Sequence, residues 1–526
     1  MFEIKKKKFP EGDYGTDDFL DNWPMLYMLE GGKKIYIGQS NRFNLRMKEH
    51  RRDSGKSFAQ IVRMIYSEEF NISTTLDYES KLIQYIFADN KYTVTNENSG
   101  IVNRDYYKKE YYDNLFYELW KELQKEQIVE HDIKDILNSD FFKYSPYKEL
   151  TDEQVSGVTK IIERLESDEK STIMVKGMPG SGKTIICTFL MKYFKELDNF
   201  KNKKVGLVIP QESLRTTLQK LFSQIDGMKH NDVIGPNDVV KEKYDILVVD
   251  EAHRLTKRQN IVNYREFDKV NNLLGLGKDG DQMDWIMRSS KSQIFFYDAL
   301  QVIGPAGIED LRVKKKMEMY ERLNSYSRPL RLYSQMRVQG GKPYIDYIVQ
   351  LLTGKVKEKK AVKNYEFIVV EDFRKFNELL YEKEEKNQLC RMAAGFSWKW
   401  ISKKDKNKYD IEIDGIEKQW NYTRKNWVHS EGAIDQVGCI HSVQGFDLNY
   451  AFVILGKDIR YADGQIIADG SNYYDINGKK TTNKETLTDY IRNIYYVLMT
   501  RGIKGTYLYI CDDELRNYFE MYVNKI

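Results

Sequence analysis

Short apolar runs, each closed by glycine or a carboxylate, punctuate this chain, and their lengths and boundaries sort them into strands and helices. Thr172-Ile173-Met174-Val175, Tyr244 to Val249 and Gln293 to Tyr297 read as buried strands, and Ile185 to Leu190 as a helix packed on a sheet. Near the N-terminus, Met25 to Leu29 and Lys34 to Gly38 predict two short strands joined by Glu30-Gly31-Gly32, a hairpin signal. The helical stretch that follows puts Arg46 and His50 one turn apart on one face. Leu76 to Phe87 predicts another helix with Glu79 near its start, and Tyr92 to Thr95 a strand just before Asn96, with Asn98 close by. Leu115, Leu119 and Leu123, with Phe116 and Trp120, form a helical stripe that reads as a spacer or as an extension of the N-terminal domain. Asp463 to Asp489 is polar and marks an irregular insertion.

Chemistry enters where the first of these strands ends. Gly177 to Thr184 fits G-x-x-x-x-G-K-[ST] between a strand and a helix, the setting that gives this pattern meaning. Backbone N–H groups of the turn carrying Gly177, Gly180, Ser181 and Gly182 would wrap a β-phosphate. Lys183 would neutralise the β/γ oxygens, and Thr184 would hold Mg²⁺. The strand ending at Val249 runs into Asp250 and Glu251, the first suited to orienting Mg²⁺ and the second to positioning and deprotonating water. Gln301, just after Asp298, suits a γ-phosphate sensor, and Gln154, behind a Thr151 cap, an adenine reader. Arg337, Arg501 and the segment Ile440 to Asp447, which contains Gly445, fall in the C-terminal half. Arginines reaching the phosphate from a second lobe would stabilise transition-state charge and make hydrolysis depend on lobe closure.

Together with Val205 to Arg215, Ala394 to Trp400, Ser442-Val443-Gln444-Gly445 and Thr500-Arg501-Gly502, these motifs resemble the superfamily-1 helicases. Within them the likeness is to the helicase-like domain of group-3 Schlafen proteins, from roughly Tyr147 onward. The resemblance implies an α/β fold of two RecA-like parallel-sheet lobes with ATP in the cleft and nucleic acid across the top. Gly177 to Arg501 leaves little room for the large inserted subdomains of processive unwinding enzymes, so an ATPase, translocase or switch is expected.

Over about residues 20 to 100 the chain resembles the GIY-YIG nucleases. Tyr27 matches the first tyrosine, Tyr36-Ile37-Gly38 the second signature, and Arg46, His50, Glu79 and Asn96 the remaining active-site positions. Met25-Leu26 stands where the family usually has glycine and isoleucine. The resemblance implies Glu79 as the one carboxylate holding Mg²⁺ or Mn²⁺, and Arg46 as the clamp on the scissile phosphate. Tyr27 or His50 would assist water activation, Tyr36 would orient the phosphate, and Asn96 would fix the loop or the glutamate.

Bulk properties add little. The 526 residues suffice for three domains, and 41% hydrophobic content supports sizeable cores. Eighty-three basic and 79 acidic residues balance to +4, so nucleic-acid binding must come from local patches such as Lys5 to Lys8. Four cysteines without C-x-x-C spacing indicate neither zinc nor a disulfide framework. With no signal-peptide pattern and no apolar run of about 18 residues, a soluble cytoplasmic protein without a membrane partner is expected.

The expected organisation is a nuclease domain over 1–100, a helical linker over 101–145, and RecA-like lobes over 146–325 and 326–526. The expected function is an ATP-dependent nuclease acting on nucleic acid, DNA before RNA, in bacterial antiphage defence. The alternatives are a nucleotide-switched binding protein with a non-cutting head and an RNA-directed nuclease. A homo-oligomer or a partner protein of a defence system stays open.

Overall fold

The structure is a computed structural model that describes residues 2–11, 14, 18–97, 106–148, 150–166, 170–321, 325–326, 329–423, 427–480 and 482–526. Asn98 and residues 101–105 of the expected linker lie outside the described residues. The chain divides into two compact units. The first comprises Met1–Thr151, Thr184–Asn202 and Thr217–Val233; the second comprises Asp152–Lys183, Lys203–Thr216 and Ile234–Ile526.

The first unit carries a five-stranded sheet in the order Glu3–Lys8, Ile61–Tyr66, Met25–Gly31, Lys34–Ser40, Thr93–Val94. Met25, Leu26, Tyr27, Met28 and Leu29 are all buried, which demands cover on both faces. Phe43 and Met47, on the helix Phe43–Arg52, supply part of it. The hairpin turn is tighter than expected: Gly31 pairs with Lys34, so Gly32 and Lys33 alone make the turn. Glu30 is a strand residue, buried and ion-paired with Arg63. The helix Ile72–Asp89 starts earlier than its apolar run because the Asn71 side chain accepts from the Thr74 N–H, so Glu79 stands in mid-helix rather than near the start.

Within the expected helical linker, the described residues from 106 onward pack on the first unit. The helix Lys109–Lys125 turns its stripe of Leu115, Phe116, Leu119, Trp120 and Leu123 into a buried face. Phe116 meets Tyr78 and Tyr85 edge-on, at ring separations of 5.1 and 5.4 Å. A stripe of that size must be covered, and the helix Ile72–Asp89 covers it. Two further ties in this unit come from later segments: Lys192 donates to the Glu97 carbonyl, and Lys34 pairs with Asp226 at 3.3 Å.

The second unit holds two parallel sheets, each a RecA-like α/β lobe. In the first, Ser325–Tyr326, Ser171–Gly177, Ser290–Tyr297, Tyr244–Val249 and Val205–Val208 are successive neighbours with parallel pairing. Leu330–Leu332 also pairs with Ser171–Gly177, which carries this lobe past the expected boundary at 325. The second sheet is six-stranded and parallel, in the order Val437–Gly438, Cys390–Ala394, Leu448–Leu455, Gly502–Ile510, Glu366–Val369, Asn524–Lys525. Leu448–Leu455 is buried along its whole length, as expected of a central parallel strand. The stretch expected to be irregular is partly ordered: Gln465–Ala468 forms a hairpin with Ile459–Ala462, and the helix Lys484–Met499 begins before Asp489. Among the described residues, no helix is long and apolar enough to cross a membrane.

Candidate functional site

The strand Ser171–Gly177 delivers a loop that ends where the helix Lys183–Glu196 begins. Gly180 and Gly182 have φ of +79° and +78°, and a Cβ there would lie 2.1 Å from Gln335 Oε1 and 2.2 Å from Gln154 Nε2. Both backbone geometry and space therefore require glycine. The Lys183 ammonium donates to the Gly177 and Met178 carbonyls at 2.8 and 3.0 Å. Ser181 Oγ is buried without a hydrogen-bond partner. A glycine-rich turn, a buried ammonium and an orphaned hydroxyl donor fit a bound phosphate. Thr184 follows in the first helical turn.

Asp250 is fully buried and accepts the Glu251 N–H at 2.9 Å. Glu251 has a left-handed backbone, φ +51°, uncommon for a residue with a side chain. Its Oε2 lies 2.8 Å from His253 Nε2. Burial pushes the Glu251 carboxyl up, but His253, Lys183 and Arg254 outweigh it and hold the group well below the usual carboxylate range.

Gln444, from the second lobe, is fully buried among first-lobe side chains. Its Nε2 lies 3.1 Å from His253 Nε2 and donates to Gln301 Oε1 at 3.2 Å, while its Oε1 accepts from Arg254. Its carbonyl accepts from Gln211 at 2.7 Å. Gln301 also donates to Asp298 at 2.9 Å. Gly445 follows, its α-carbon facing the Gln211 amide.

Gln154 does not face outward to read a base. Its side chain is fully buried, and its amide nitrogen donates to the Ser181 carbonyl at 3.0 Å and meets the Met336 sulfur at 3.1 Å. It braces the loop, because a donor so placed satisfies a backbone acceptor of the strained turn. The Met336 N–H donates to the Gly180 carbonyl at 2.8 Å, and Gln335 donates to that of Pro179. This brings Arg337 alongside the loop, ion-paired with Asp447 of the second lobe. Arg501 is 2% exposed and donates to the Val497 carbonyl at 3.1 Å. Burial, then Asp298, raises the pKa of the buried Tyr496 hydroxyl, with Arg501 and Arg337 acting against them.

In the first unit a separate cleft of about 290 Å³ is lined by Tyr36, Arg46, His50, Glu79 and Asn96, together with Glu49, Asp53, Lys56 and Glu97. Tyr27 forms its floor: its hydroxyl is 2.8 Å from His50 Nε2 and accepts from Arg46 Nε at 3.4 Å. Gly38 lets the ring in, since a Cβ there would sit 2.3 Å from the Tyr27 hydroxyl oxygen. Asn96 pins the strand by accepting the Ile37 N–H at 3.0 Å and donating to the Ile37 carbonyl at 2.7 Å. The Tyr36 ring stands edge-on to His50 at 5.2 Å. Burial raises Glu79 to about 7 against the backbone N–H of Gln39 and the charge of Arg46. Burial, helped by Arg46 and Lys56, lowers His50 to about 4. Glu79 is the carboxylate of raised pKa in this cleft, and among the described residues no group of three or more His, Cys, Asp or Glu side chains is placed to hold a metal ion.

All six head positions singled out in the sequence gather at this one cleft, while the acidic pair, Gln301, Gly445 and Arg337 lie at the phosphate loop or the inter-lobe network and Arg501 is held at the Val497 carbonyl. Sequence reasoning missed the bridging of His253 and Arg254 by Gln444, and it missed Lys56. The turn Asp53-Ser54-Gly55-Lys56, six residues past His50, was the available signal for that lysine.

A family model for the Schlafen group 3 DNA/RNA helicase domain matches residues 170–512. The chain belongs to this family. It therefore carries a superfamily-1-like helicase domain, a helicase-like ATPase. This Schlafen group 3 chain is also 26% identical over 415 residues to the uncharacterized protein YPL245W of Saccharomyces cerevisiae, a match covering 70% of the chain and 88% of the yeast protein. Among solved structures, the arterivirus nonstructural protein 10 helicase matches at 11% identity and a TM-score of 0.31, over 68% of this chain and 64% of that one. The Pif1 helicase of Candida albicans matches at 11% identity and a TM-score of 0.28, over 69% and 95%.

Proposed function

We propose that this Schlafen group 3 ATPase drives or licenses a metal-dependent nuclease in its N-terminal head, cutting nucleic acid, DNA before RNA. The observation that carries this reading is the Tyr27, His50 and Arg46 cluster: a tyrosine hydroxyl 2.8 Å from a neutral imidazole nitrogen and within reach of a guanidinium. With His50 at about 4, its ring is neutral at working pH and can hold the Tyr27 hydroxyl by a hydrogen bond, while burial raises the Tyr27 pKa and keeps that hydroxyl protonated. Tyr27 and His50 then assist water activation by orienting the attacking water through hydrogen bonds, with Arg46 as the clamp on the phosphate and Tyr36 as its orienter. Asn96 acts as the pin that keeps Tyr36 and Gly38 in register. Glu79 would hold Mg²⁺ or Mn²⁺, which when bound stabilises charge on the leaving oxygen.

In the motor, Gly177, Gly180, Ser181, Gly182 and Lys183 cradle the ATP phosphates, while Thr184 and Asp250 would hold Mg²⁺. Glu251 positions and deprotonates water, and Gln301 reads the phosphate state through Gln444. Arg337 and Arg501 meet charge that grows in the transition state. Domain limits of about 1–148 for the head, 150–332 for the first lobe and 333–526 for the second accommodate the observed pairings. A head that destroys nucleic acid joined to an ATPase suits antiphage defence in a bacterial cytoplasm, alone or with a partner protein.

The test is cleavage of end-labelled single-stranded DNA, duplex DNA and RNA with Mg²⁺ or Mn²⁺, with and without ATP, in wild type, Glu79→Ala and Lys183→Ala. Cleavage lost in both variants upholds a motor-gated nuclease and names its substrate. Intact substrates throughout, with ATP hydrolysis still stimulated by nucleic acid, would replace it with a nucleotide-switched binding protein.

A further inference from the structure

Lys56 closes the short turn Ser54–Lys56 that follows the helix Phe43–Arg52, and it lines the same cleft as Tyr36, Arg46 and Glu79. Its ammonium is 3.9 Å from the centre of the Tyr36 ring, and its side chain is only 12% exposed. Among the described residues one carboxylate reaches that ammonium, Asp53 at 4.0 Å. Asp53 is already engaged, because its other oxygen accepts the Gly55 N–H at 2.8 Å and so fixes the turn. Arg46, the second cation of the cleft, is better served, with Glu49 at 2.6 Å and the Tyr27 hydroxyl at 3.4 Å.

A lysine drawn this far out of water, with three donors to satisfy, is costly unless an anion completes it. Contact with the Tyr36 face offsets part of that cost. Burial accordingly lowers the Lys56 pKa, with Arg46 acting the same way and Asp53 and Glu97 against it. The cleft's charge balance sharpens the point. Glu49, Asp53, Glu79 and Glu97 line it against two cations, Arg46 and Lys56, so a polyanion enters only if both cations engage it.

We propose that Lys56 is a second phosphate-contacting residue of the cleavage site. It donates to a non-bridging oxygen of the nucleic-acid backbone at the Tyr36 face, while Arg46 takes the scissile phosphate. The inference rests on the nuclease reading of the head. It assigns Lys56 to substrate binding more than to the chemical step, since its charge meets one that is present before the reaction begins.

The test compares full-length wild type, Lys56→Met and Lys56→Arg on DNA and RNA substrates over a range of salt. Lys56→Met should raise KM about tenfold with kcat within about threefold, and should lower the slope of log KM against log salt by about one, the signature of one lost phosphate contact. Lys56→Arg should restore both, and ATP turnover should be unchanged. Wild-type KM and salt slope in Lys56→Met, with wild type cutting normally, would overturn the proposal. Should wild type cut nothing, the nuclease reading fails by itself. Acetylation of Lys56 in the full chain, with and without a short single-stranded oligonucleotide, then decides: protection upholds the phosphate contact, and unchanged reactivity overturns it.

Discussion

His253 Nε2 stands 2.8 Å from Glu251 Oε2 and 3.1 Å from Gln444 Nε2, so one imidazole nitrogen lies between the first-lobe carboxylate proposed to activate water and an amide of the second lobe. Nucleotide hydrolysis and lobe engagement therefore share a side chain. Replacing Gln444 by alanine should lower ATP turnover about tenfold or more while leaving ATP affinity within about threefold, because the phosphate loop is untouched. Steady-state turnover and equilibrium nucleotide binding on the same variant provide the check. Unchanged turnover would remove Gln444 from the coupling.

Glu251→Gln keeps the shape of the site and removes its base. Turnover should fall by about two orders of magnitude or more with ATP still bound, the usual scale for losing a general base. Lys183→Ala should instead lose binding and turnover together. Retained turnover in Glu251→Gln would point to another base.

Arg501 and Arg337 come from different segments with different partners, the Val497 carbonyl and Asp447, and their effects should separate. Arg501→Ala should cost hydrolysis about a thousandfold, the lower end for an arginine that meets phosphoryl-transfer charge, with a much smaller loss of ATP affinity. Arg337→Ala also breaks the ion pair with Asp447, a contact within the second lobe that fixes the arginine beside Gly180, so it should lower turnover by less than Arg501→Ala does. Equal losses of affinity and turnover in Arg501→Ala would contradict the assigned role.

Gly38→Ala tests the head without touching a reactive group. A methyl there would fall 2.3 Å from the Tyr27 hydroxyl oxygen and must push that ring off His50. Cleavage should drop about a hundredfold or more while ATP turnover persists, as would Glu79→Ala through loss of the metal-holding carboxylate. Normal cleavage in Gly38→Ala would mean that the Tyr27 to His50 contact is dispensable.

Two groups in the head titrate in opposite senses. Glu79 rises from 4.5 to about 7, so its contribution to stability is present below about pH 4.5 and lost as pH rises toward 7. His50 falls from 6.5 to about 4, so its contribution is present above about pH 6.5 and lost as pH falls toward 4. In wild type they largely offset each other between these limits. Relative to wild type, the melting temperature of Glu79→Gln should climb with pH from about 4.5 to 7, and that of His50→Gln should decline from about 4 to 6.5. Thermal melts of the three proteins across that range check this, and superimposable profiles would contradict it.

Local chemistry made much of this protein legible in its sequence. The phosphate loop is readable because Gly180 and Gly182 need left-handed backbone, a requirement that leaves its mark residue by residue. The two strands Met25–Gly31 and Lys34–Ser40 are readable from their apolar runs, and the cleft residues from a family pattern. Features set by long-range packing were not readable. Nothing near Gln154 announces that Ser181 will claim its amide, and nothing near Gln444 announces His253, 191 positions away. The choice between a spacer and an extension of the N-terminal domain stayed open in the sequence for the same reason: the stripe was visible, but not the helix Ile72–Asp89 that covers it.

The hold of Lys192 on the Glu97 carbonyl carries a consequence for dividing the chain. The helix bearing that lysine opens with the phosphate-loop lysine, yet from Thr184 onward it belongs to the same compact unit as the head. The two units interleave along the chain, so separating head from ATPase at one peptide bond near residue 149 would leave Lys192 and its helix outside the head fragment and the Glu97 carbonyl without that donor.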